Sequence, residues 1–549
     1  MPFYHIALAT LASTFCITPA IASDSKPDRF NFVIIGGGTA GLAVANRLSE
    51  IPDLIVAVIE AGEDEGNNPN VTSVEGFGGG TGFNTHIDWL YETTEQTHAG
   101  GRQLEYHSGK AWGGTSTING MTYIRAEDAQ IDAWERVGNT GWNWTSLWPY
   151  HLKSEQFGSP SQAQLAVGAS YMESYHGRTG PVNVAYQYGL HNGSFASLVN
   201  HAWQNLGMSF NPDVSGGNLR GFFNRPNLAI IRGHVDRISW ADTKGSRALA
   251  DGVEYTAPDG SVKILYAKKE VIVAAGSVRS PAILELSGVG NPKIMEQLDI
   301  PVKVPLPSVG EKGLEQPNSF MMYSSNSTFD GFVPYVTYMT ASDILGPETQ
   351  TISAQIASQL KSWAAQIAED SGHAISASAI EQLYQVQHDL IFNHDVPFVE
   401  ILTTALGENV GSAFFILLPF SRGSVHINSA DSSDYPSVNP NYFQINWDLI
   451  LQRKVAQTVA KFWHTNPVHS LVGQRLEPPI SDLPSNATDE VWDNWVISSF
   501  TANHHLLGTT VMLPRELGGV VDSNLVVYGT QNVRVVDDRR EATRFTCGS

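Results

Sequence analysis

The spacing of apolar and polar positions along this chain is of two kinds, one typical of strands and one typical of helices. Near the N-terminus, the apolar run Asn31–Ile35 ends in glycines, Ala43–Leu48 has the character of a helix, and Leu54–Ile59 is again apolar. Short apolar runs bounded by turn residues indicate buried strands, whereas longer amphipathic stretches indicate helices. The pattern therefore predicts a strand–helix–strand unit at the start of the chain.

Further elements follow from the same patterns. Glu270–Gly276 reads as a buried strand ending in glycine, and Ser280-Pro281 predicts a helix with proline in its first turn. Helical spacing predicts two helices between residues 330 and 410. Strands are predicted over four further segments. The apolar positions of the first helix are Ile356, Leu360, Trp363 and Ile367, and those of the second are Ile380, Leu383 and Tyr384. The four predicted strands are 227–231, 252–255, 414–418 and 424–427.

The first strand runs directly into a glycine fingerprint. Gly36, Gly38 and Gly41 form G-x-G-x-x-G, and Glu60 ends the second strand 19 residues after Gly41. In a dinucleotide site, such glycines permit a tight turn, close approach to a pyrophosphate and helix–strand packing, and the acid binds a ribose hydroxyl. The backbone N–H groups at the helix start, around Thr39 and Ala40, would face the phosphates. A glycine-rich turn without a ligand is the alternative interpretation.

Residues 1–22 have the form of a secretory signal peptide. Ile6–Ile21 is mostly apolar, and Ala20-Ile21-Ala22 is a small-x-small cleavage pattern. No later run of apolar residues is long enough to predict a membrane span. We therefore expect a secreted protein with candidate N-glycosylation sites. The sequons begin at Asn70, Asn143, Asn192, Asn326 and Asn486.

Charge and cysteine content exclude several classes of function. The formal net charge is −21 and Lys and Arg are not clustered, which argues against binding of nucleic acid or of an anionic membrane. Loss of residues 1–22 would leave Cys547 as the one cysteine. The mature chain could then form neither an intrachain disulfide nor a cysteine-based metal site, and no metal site is predicted.

Several ordered motifs extend this picture from about residue 28 to 538. With the fingerprint, they resemble the glucose–methanol–choline (GMC) flavin oxidoreductases, and the closing motifs are most similar to the fungal secreted branch of glucose oxidase and patulin synthase-like members. The motifs are Asp88–Tyr91, Gly109–Arg125, Gly276–Pro281, Leu286–Gly290, Ser421–Val425, Asn439–Tyr442, His504–Thr509, Gly518–Asp522 and Val533–Asp537.

The resemblance implies an α/β fold, α+β overall, with two discontinuous domains. A Rossmann-like FAD-binding domain would comprise residues 28–150, 225–315 and 500–549. A substrate-binding domain, built on an antiparallel sheet with helices, would comprise residues 151–224 and 316–499.

The resemblance also implies FAD as the cofactor. Glu60 would hold the adenosine ribose, the backbone of Val235 would meet the adenine, and Asp537 would lie at the phosphate and ribityl end. The loop from Trp112 would lie against the flavin ring, with Asn119, Gly120, Met121 and Thr122 nearest to it. Ile118 occupies the position where some relatives carry a flavin-linked histidine, so FAD is expected to be bound non-covalently.

Within the family, the histidine of H-x-x-G-T removes the hydroxyl proton of the substrate. That position is His505 here, and a neutral imidazole suits such a proton transfer. The adjacent His504, where the family usually has an aromatic residue, is the rival candidate.

Two departures from the family pattern stand out. The customary Asp and His of one block are replaced by Glu315 and Gln316. After Asp537 the resemblance stops, and no residue can be matched to the second active-site His or Asn of relatives. This predicts much reduced activity for the chain as written.

The leading hypothesis is FAD-dependent oxidation of a primary or secondary alcohol, with oxygen or another electron acceptor. The weak match over 330–410 favours a secondary-metabolite alcohol, such as the lactol-type precursor of patulin synthase-like members. The alternatives are glucose oxidase-like sugar oxidation and a catalytically defective protein that only binds FAD. The sequence does not predict the oligomeric state.

Overall fold

A computed structural model of the protein describes residues 29–72, 82–120, 123–166, 168–186, 195–208, 211, 213–216, 234–242, 245, 247–329 and 335–537. The strands are β1 Arg29–Ile35, β2 Val56–Ile59, β3 Tyr91–Glu92, β4 Glu105–Tyr106, β5 Glu155–Gly158, β6 Val182–Ala185, β7 His234–Trp240, β8 Ala250–Thr256, β9 Val262–Val273, β10 Val289–Gly290, β11 Val304–Pro305, β12 Glu311–Gly313, β13 Pro317–Phe329, β14 Tyr335–Met339, β15 Val399–Ile416, β16 Gly423–His426, β17 Ser437–Asn439, β18 Val472–Glu477, β19 Thr501–Ala502 and β20 Val533–Val535. The α-helices are α1 Thr39–Ser49, α2 Pro69–Thr72, α3 Asp128–Arg136, α4 Trp144–Ser154, α5 Gln162–Ala166, α6 Phe195–Asn205, α7 Gly276–Leu286, α8 Pro292–Gln297, α9 Ala341–Leu345, α10 Thr349–Asp370, α11 Ala377–Phe392, α12 Asn446–Trp463 and α13 Asp489–Ser499.

One sheet carries the glycine fingerprint. Its strand order is β2-β1-β9-β8-β7, and β20 pairs with β9. Strand β1 is parallel to both β2 and β9, and β1, α1 and β2 form the strand–helix–strand unit predicted for the start of the chain. The first half of β9 forms an antiparallel pair with β8, and its last residues pair in parallel with β20. The C-terminal motif around Asp537 is thereby brought to the carboxyl end of β1.

A second sheet is antiparallel and is formed largely by the middle of the chain. Its order is β14-β15-β13-β18, and β19 pairs with β13. The two helices predicted between residues 330 and 410 correspond to α10 and α11, which pack against each other. The strand at 414–418 is only the end of β15, which begins at Val399. Sequence analysis missed its first part and the whole of β14.

Other sequence predictions can be compared directly with the structure. The predicted strands over 252–255 and 424–427 correspond to β8 and β16. The strand expected at 227–231 lies outside the described residues. The prediction for Pro281 was wrong. Helix α7 begins at Gly276, so the proline lies inside the helix rather than in its first turn.

Near Pro281, a hydroxyl from a distant motif donates a hydrogen bond to a backbone carbonyl of α7. A proline has no N–H to donate to the carbonyl four residues earlier, which is that of Ser277. The Thr509 hydroxyl donates to this carbonyl instead, at 2.6 Å, and Thr509 is buried. The threonine of H-x-x-G-T thus links the loop of the two histidines to α7.

This contact predicts the effect of Thr509→Val. The change preserves shape but removes the hydroxyl that donates to the buried carbonyl of Ser277, which should lower the free energy of unfolding by about 1–3 kcal/mol. Thr509→Ser keeps the hydroxyl and is the matched control. Thermal unfolding of the two FAD-loaded variants measures the difference. Equal midpoints would show that the hydroxyl does not support the helix.

No helix among the described residues is long and apolar enough to cross a membrane.

Candidate active site

A cleft opens at the carboxyl ends of β1, β2 and β9. Seven of the residues predicted to bind the cofactor line it together, although they come from four separate stretches of sequence. They are Gly36, Gly38, Thr39, Ala40, Glu60, Val235 and Asp537. In open α/β sheets, ligands bind at this edge because the strand ends and the helix N-termini converge there.

Glu60 lies at the end of β2 and faces the fingerprint. Its two carboxylate oxygens accept hydrogen bonds from the backbone N–H groups of Gly37, at 2.7 Å, and Gly62, at 2.9 Å. Burial raises the pKa of Glu60 to about 7, although these backbone donors act to lower it. The carboxylate is therefore fixed in place at the wall of the cleft.

The fingerprint glycines are required for different reasons. A Cβ on Gly36 would lie 2.3 Å from the carbonyl oxygen of Ala274, and one on Gly41 would lie 2.1 Å from that of Gly36. Both positions are explained by packing of the polypeptide on itself. Gly38 is different, because its φ of −77° suits any residue and a Cβ there would meet nothing closer than Gly114 Cα, at 3.9 Å. Its side facing the cleft is open space that a ligand can occupy.

The glycine-rich loop after residue 109 packs directly on the fingerprint. Gly114 has a φ of +57°, and a Cβ there would lie only 2.8 Å from Gly38 Cα. The side chain of Trp112 belongs to the lining of neither this cleft nor the second cavity, and its backbone N–H donates to the Glu63 carbonyl at 3.0 Å. The contact of Trp112 with the cofactor stays a prediction.

Helix α7 and Asp537, which follows β20, also line the cleft. Asp537 accepts a hydrogen bond from the N–H of Gly276, the first residue of α7, at 2.9 Å. Sequence analysis did not identify Arg279 on the same helix. It lines the cleft, is 7% exposed and stacks over Trp89 at 4.7 Å from the ring centroid. Its place in the Gly276–Pro281 motif was the signal that could have revealed it.

A second cavity, of about 600 Å³, lies beside the first and shares Thr115 with it. Asn119, Gly120, His504 and His505 line this cavity together, and their nearness to the flavin ring and the substrate stays a prediction. Met121 and Thr122 lie outside the described residues, as do residues 538–549. Much of the remaining wall is apolar or aromatic. These side chains are Phe83, Leu104, Ile118, Phe320, Leu402 and Phe415.

His505 is held by two amide side chains. Its Nδ1 lies 3.1 Å from Gln316 Oε1 and 3.0 Å from Asn503 Nδ2, and the Asn503 amide also donates to Gln316 Oε1 at 2.6 Å. The Asn503 amide nitrogen is a donor and favours a lone pair on Nδ1. When Nδ1 instead carries the proton, it donates to Gln316 Oε1, and the lone pair of the neutral ring lies on Nε2. This is the tautomer that a base acting through Nε2 requires. Sequence analysis noted Gln316 only as a departure from the family pattern.

Comparison with known proteins identifies the family. Residues 30–316 and 419–538 match the two parts of the GMC oxidoreductases. The chain is 44% identical to the glucose oxidase-like protein fsoC of Humicola fuscoatra, over 97% of this chain and 94% of that protein. It is 30% identical to a glucose oxidase of Aspergillus carbonarius, over 92% and 87% of the two chains.

A solved structure supports the same assignment. An FAD-dependent oxidoreductase from Chaetomium thermophilum is 25% identical and superposes with a TM-score of 0.82, covering 94% of this chain and 96% of the other.

The cleft residues fit the FAD that this family binds. Glu60 would hold the ribose, the open face of Gly38 would admit the pyrophosphate, and the buried guanidinium of Arg279 supplies positive charge at the wall. The fold, the cleft and the matches over most of the chain agree, and this protein belongs to the GMC oxidoreductase family of FAD-dependent oxidoreductases.

Proposed function

We propose that the protein oxidises a primary or secondary alcohol in the second cavity, with His505 as the base. The observation that carries this proposal is the position of His505. It lines a substrate-sized cavity next to the cofactor cleft, with Gln316 Oε1 placed to accept a hydrogen bond from its Nδ1. FAD supplies the hydride acceptor for the C–H hydrogen of the alcohol. His505 takes the hydroxyl proton, and the alcohol becomes a carbonyl compound.

The lining of the cavity supports an alcohol with an apolar or aromatic body. A sugar needs many polar partners around its ring, whereas Phe83, Phe320 and Phe415 present carbon surface here. A secondary metabolite, including a lactol of the patulin-precursor type, fits this surface better than glucose. Glucose is the competing substrate, because the chain is similar to glucose oxidases.

An anaerobic bleaching screen tests the proposal. Purified FAD-loaded protein is mixed without oxygen with an aromatic primary alcohol, an aliphatic alcohol, a small lactol and glucose, and the flavin absorbance near 450 nm is followed. The aromatic alcohol and the lactol are expected to bleach the flavin faster than glucose. Faster bleaching by glucose would favour the sugar oxidase. If no alcohol bleached the flavin, the result would favour the alternative that the protein only binds FAD.

We further propose that FAD is held without a covalent bond. Ile118 lines the second cavity and carries no atom that could bond to the flavin. Acid or heat denaturation is therefore expected to release FAD into the supernatant. Absorbance spectra of the supernatant and the pellet measure the partition, and yellow colour that stays with the precipitated polypeptide would contradict this expectation.

Secretion is also part of the proposal, although the signal sequence lies outside the described residues. Three sequon asparagines, Asn70, Asn326 and Asn486, are exposed. Asn143 is engaged at the start of α4, where it accepts from Ser146 N–H at 2.8 Å and donates to Glu135 at 2.9 Å.

This difference predicts which sequons carry glycans. Asn70, Asn326 and Asn486 should be modified in protein secreted by a fungal host, whereas Asn143 should remain largely unmodified because its amide is already engaged. Peptide mapping after enzymatic deglycosylation in oxygen-18 water labels each asparagine that carried a glycan and so measures the occupancy of each site. Secreted protein without glycans at the three exposed sequons would contradict the prediction.

A further inference from the structure

His504 has a hydrogen-bonding partner that determines where its own proton lies. Its Nδ1 is 3.1 Å from the backbone N of His107 and accepts that N–H. A peptide N–H can only donate, so Nδ1 of His504 must carry the lone pair. In the neutral imidazole the proton then lies on Nε2. His504 is therefore fixed as a hydrogen-bond donor through Nε2.

The segment that presents this N–H is itself held firmly. The Asp88 carboxylate accepts from Nδ1 of the His107 ring at 2.6 Å and from the backbone N–H groups of Ser108 and Leu90, at 3.1 and 3.0 Å. Burial acts to raise the pKa of Asp88, but these donors outweigh it and hold the pKa below its usual range. An ionised Asp88 thus keeps the His107 backbone in the position that His504 needs.

The backbone of His504 is also unusual. Its φ is +61°, a left-handed conformation that non-glycine residues seldom adopt. The ring is packed between aromatic neighbours. Its centroid lies 4.7 Å from the centroid of the His107 ring and 5.3 Å from that of the Phe83 ring. Residues held in such conformations concentrate at functional sites, where the surrounding structure maintains them. The left-handed backbone sets His504 beside His505 on the wall of the second cavity.

We propose that His504 donates a hydrogen bond from Nε2 to the hydroxyl oxygen of the substrate, while His505 accepts the hydroxyl proton. This inference rests on the proposed alcohol oxidation. The two adjacent imidazoles offer opposite functions, a donor and an acceptor, which are the partners that one hydroxyl group needs. As the proton leaves, negative charge develops on the oxygen, and a fixed donor stabilises that charge.

The same geometry argues against His504 as the base. A base that took up a proton at Nε2 would need its other proton on Nδ1, facing the N–H of His107. Two donors would then face each other at 3.1 Å. His505 differs, because its Nδ1 has an acceptor, Gln316 Oε1 at 3.1 Å, beside the donor Asn503 Nδ2 at 3.0 Å, so a proton on its Nδ1 has a hydrogen-bonding partner.

The variant His504→Asn removes the Nε2 donor but keeps an acceptor for the His107 N–H, so it separates the two functions of the His504 ring. Asparagine adopts left-handed backbone more readily than most residues, and its side-chain oxygen can accept the His107 N–H. Its shorter amide does not reach the position of Nε2. His504→Gln restores an N–H near that position, and His394→Asn, at an exposed histidine outside the cavity, is the matched control.

The test measures anaerobic flavin reduction by the alcohol that bleaches the wild type fastest, between pH 5 and 9. His504→Asn is expected to lower the limiting rate roughly ten- to a hundredfold at full FAD occupancy. Its rate should still rise with pH through the ionisation of His505. His504→Gln should recover part of the loss, and His394→Asn should match the wild type.

Two results would overturn the inference alone. Wild-type rates in His504→Asn would show that the ring only fills space, and loss of the pH dependence in that variant would make His504 the base. A wild type that no alcohol reduces would instead refute the proposed function, and the inference with it. The FAD spectrum and thermal midpoint of each variant confirm that it is folded.

Discussion

Replacement of His505 by alanine is expected to slow flavin reduction by at least about a hundredfold. The variant loses the group that accepts the hydroxyl proton, and hydride transfer from a neutral alcohol has a much higher barrier than transfer from an alcohol that is being deprotonated. FAD binding should persist, because His505 lines the second cavity and not the cleft of Glu60 and Asp537. Stopped-flow reduction without oxygen measures the rate, and the visible spectrum measures FAD occupancy.

The contacts of His505 supply graded controls for this experiment. Gln316→Leu keeps the imidazole but removes the oxygen that accepts from Nδ1, so it should lower the rate less than His505→Ala does. His394→Ala, at an exposed histidine, should have no effect. If His504→Ala slowed reduction more than His505→Ala at equal FAD occupancy, the assignment of the base would have to be reversed.

The N-terminal unit was predictable because its signals are local. An apolar strand, a glycine turn and a helix follow one another within 20 residues, and β1 and α1 form where the pattern places them. The first part of strand β15 was missed although it carries its own signal. Val399, Ile401, Thr403 and Ala405 are buried and alternate along the strand. The helical spacing of the neighbouring apolar residues favoured a helical interpretation of 330–410, and the period-two alternation outweighs it only once β14 is known to pair there.

The residues of the candidate site divide in a similar way. Gly38, Glu60 and His505 could be identified from the sequence as candidate site residues, because each lies in a recognisable local pattern. The partners of the histidines could not be predicted, because Gln316 and His505 are 189 residues apart and the N–H of His107 comes from 397 residues before His504. Such contacts depend on how the two sheets are assembled. No local spacing encodes them.

The fingerprint glycines give the second large prediction, through a matched pair of variants. Gly38→Ala should leave the FAD-free protein as stable as the wild type, because its φ of −77° is allowed and an added Cβ meets nothing closer than 3.9 Å. The methyl group would instead occupy the open face of the cleft, where the pyrophosphate of FAD is expected to approach the backbone. Overpacking of this kind costs about 1–3 kcal/mol, which corresponds to a roughly ten- to a hundredfold weaker FAD affinity.

Gly41→Ala adds the same methyl group with the opposite consequence. Its Cβ would lie 2.1 Å from the Gly36 carbonyl oxygen, so α1 would have to move away from β1 and the FAD-free protein should be destabilised. Thermal unfolding of the FAD-free proteins and titration with FAD, followed by flavin fluorescence, separate the two effects. Unchanged FAD affinity in Gly38→Ala would show that the cofactor does not approach this face. A stable Gly41→Ala protein would show that the packing of α1 on β1 tolerates a side chain at that glycine.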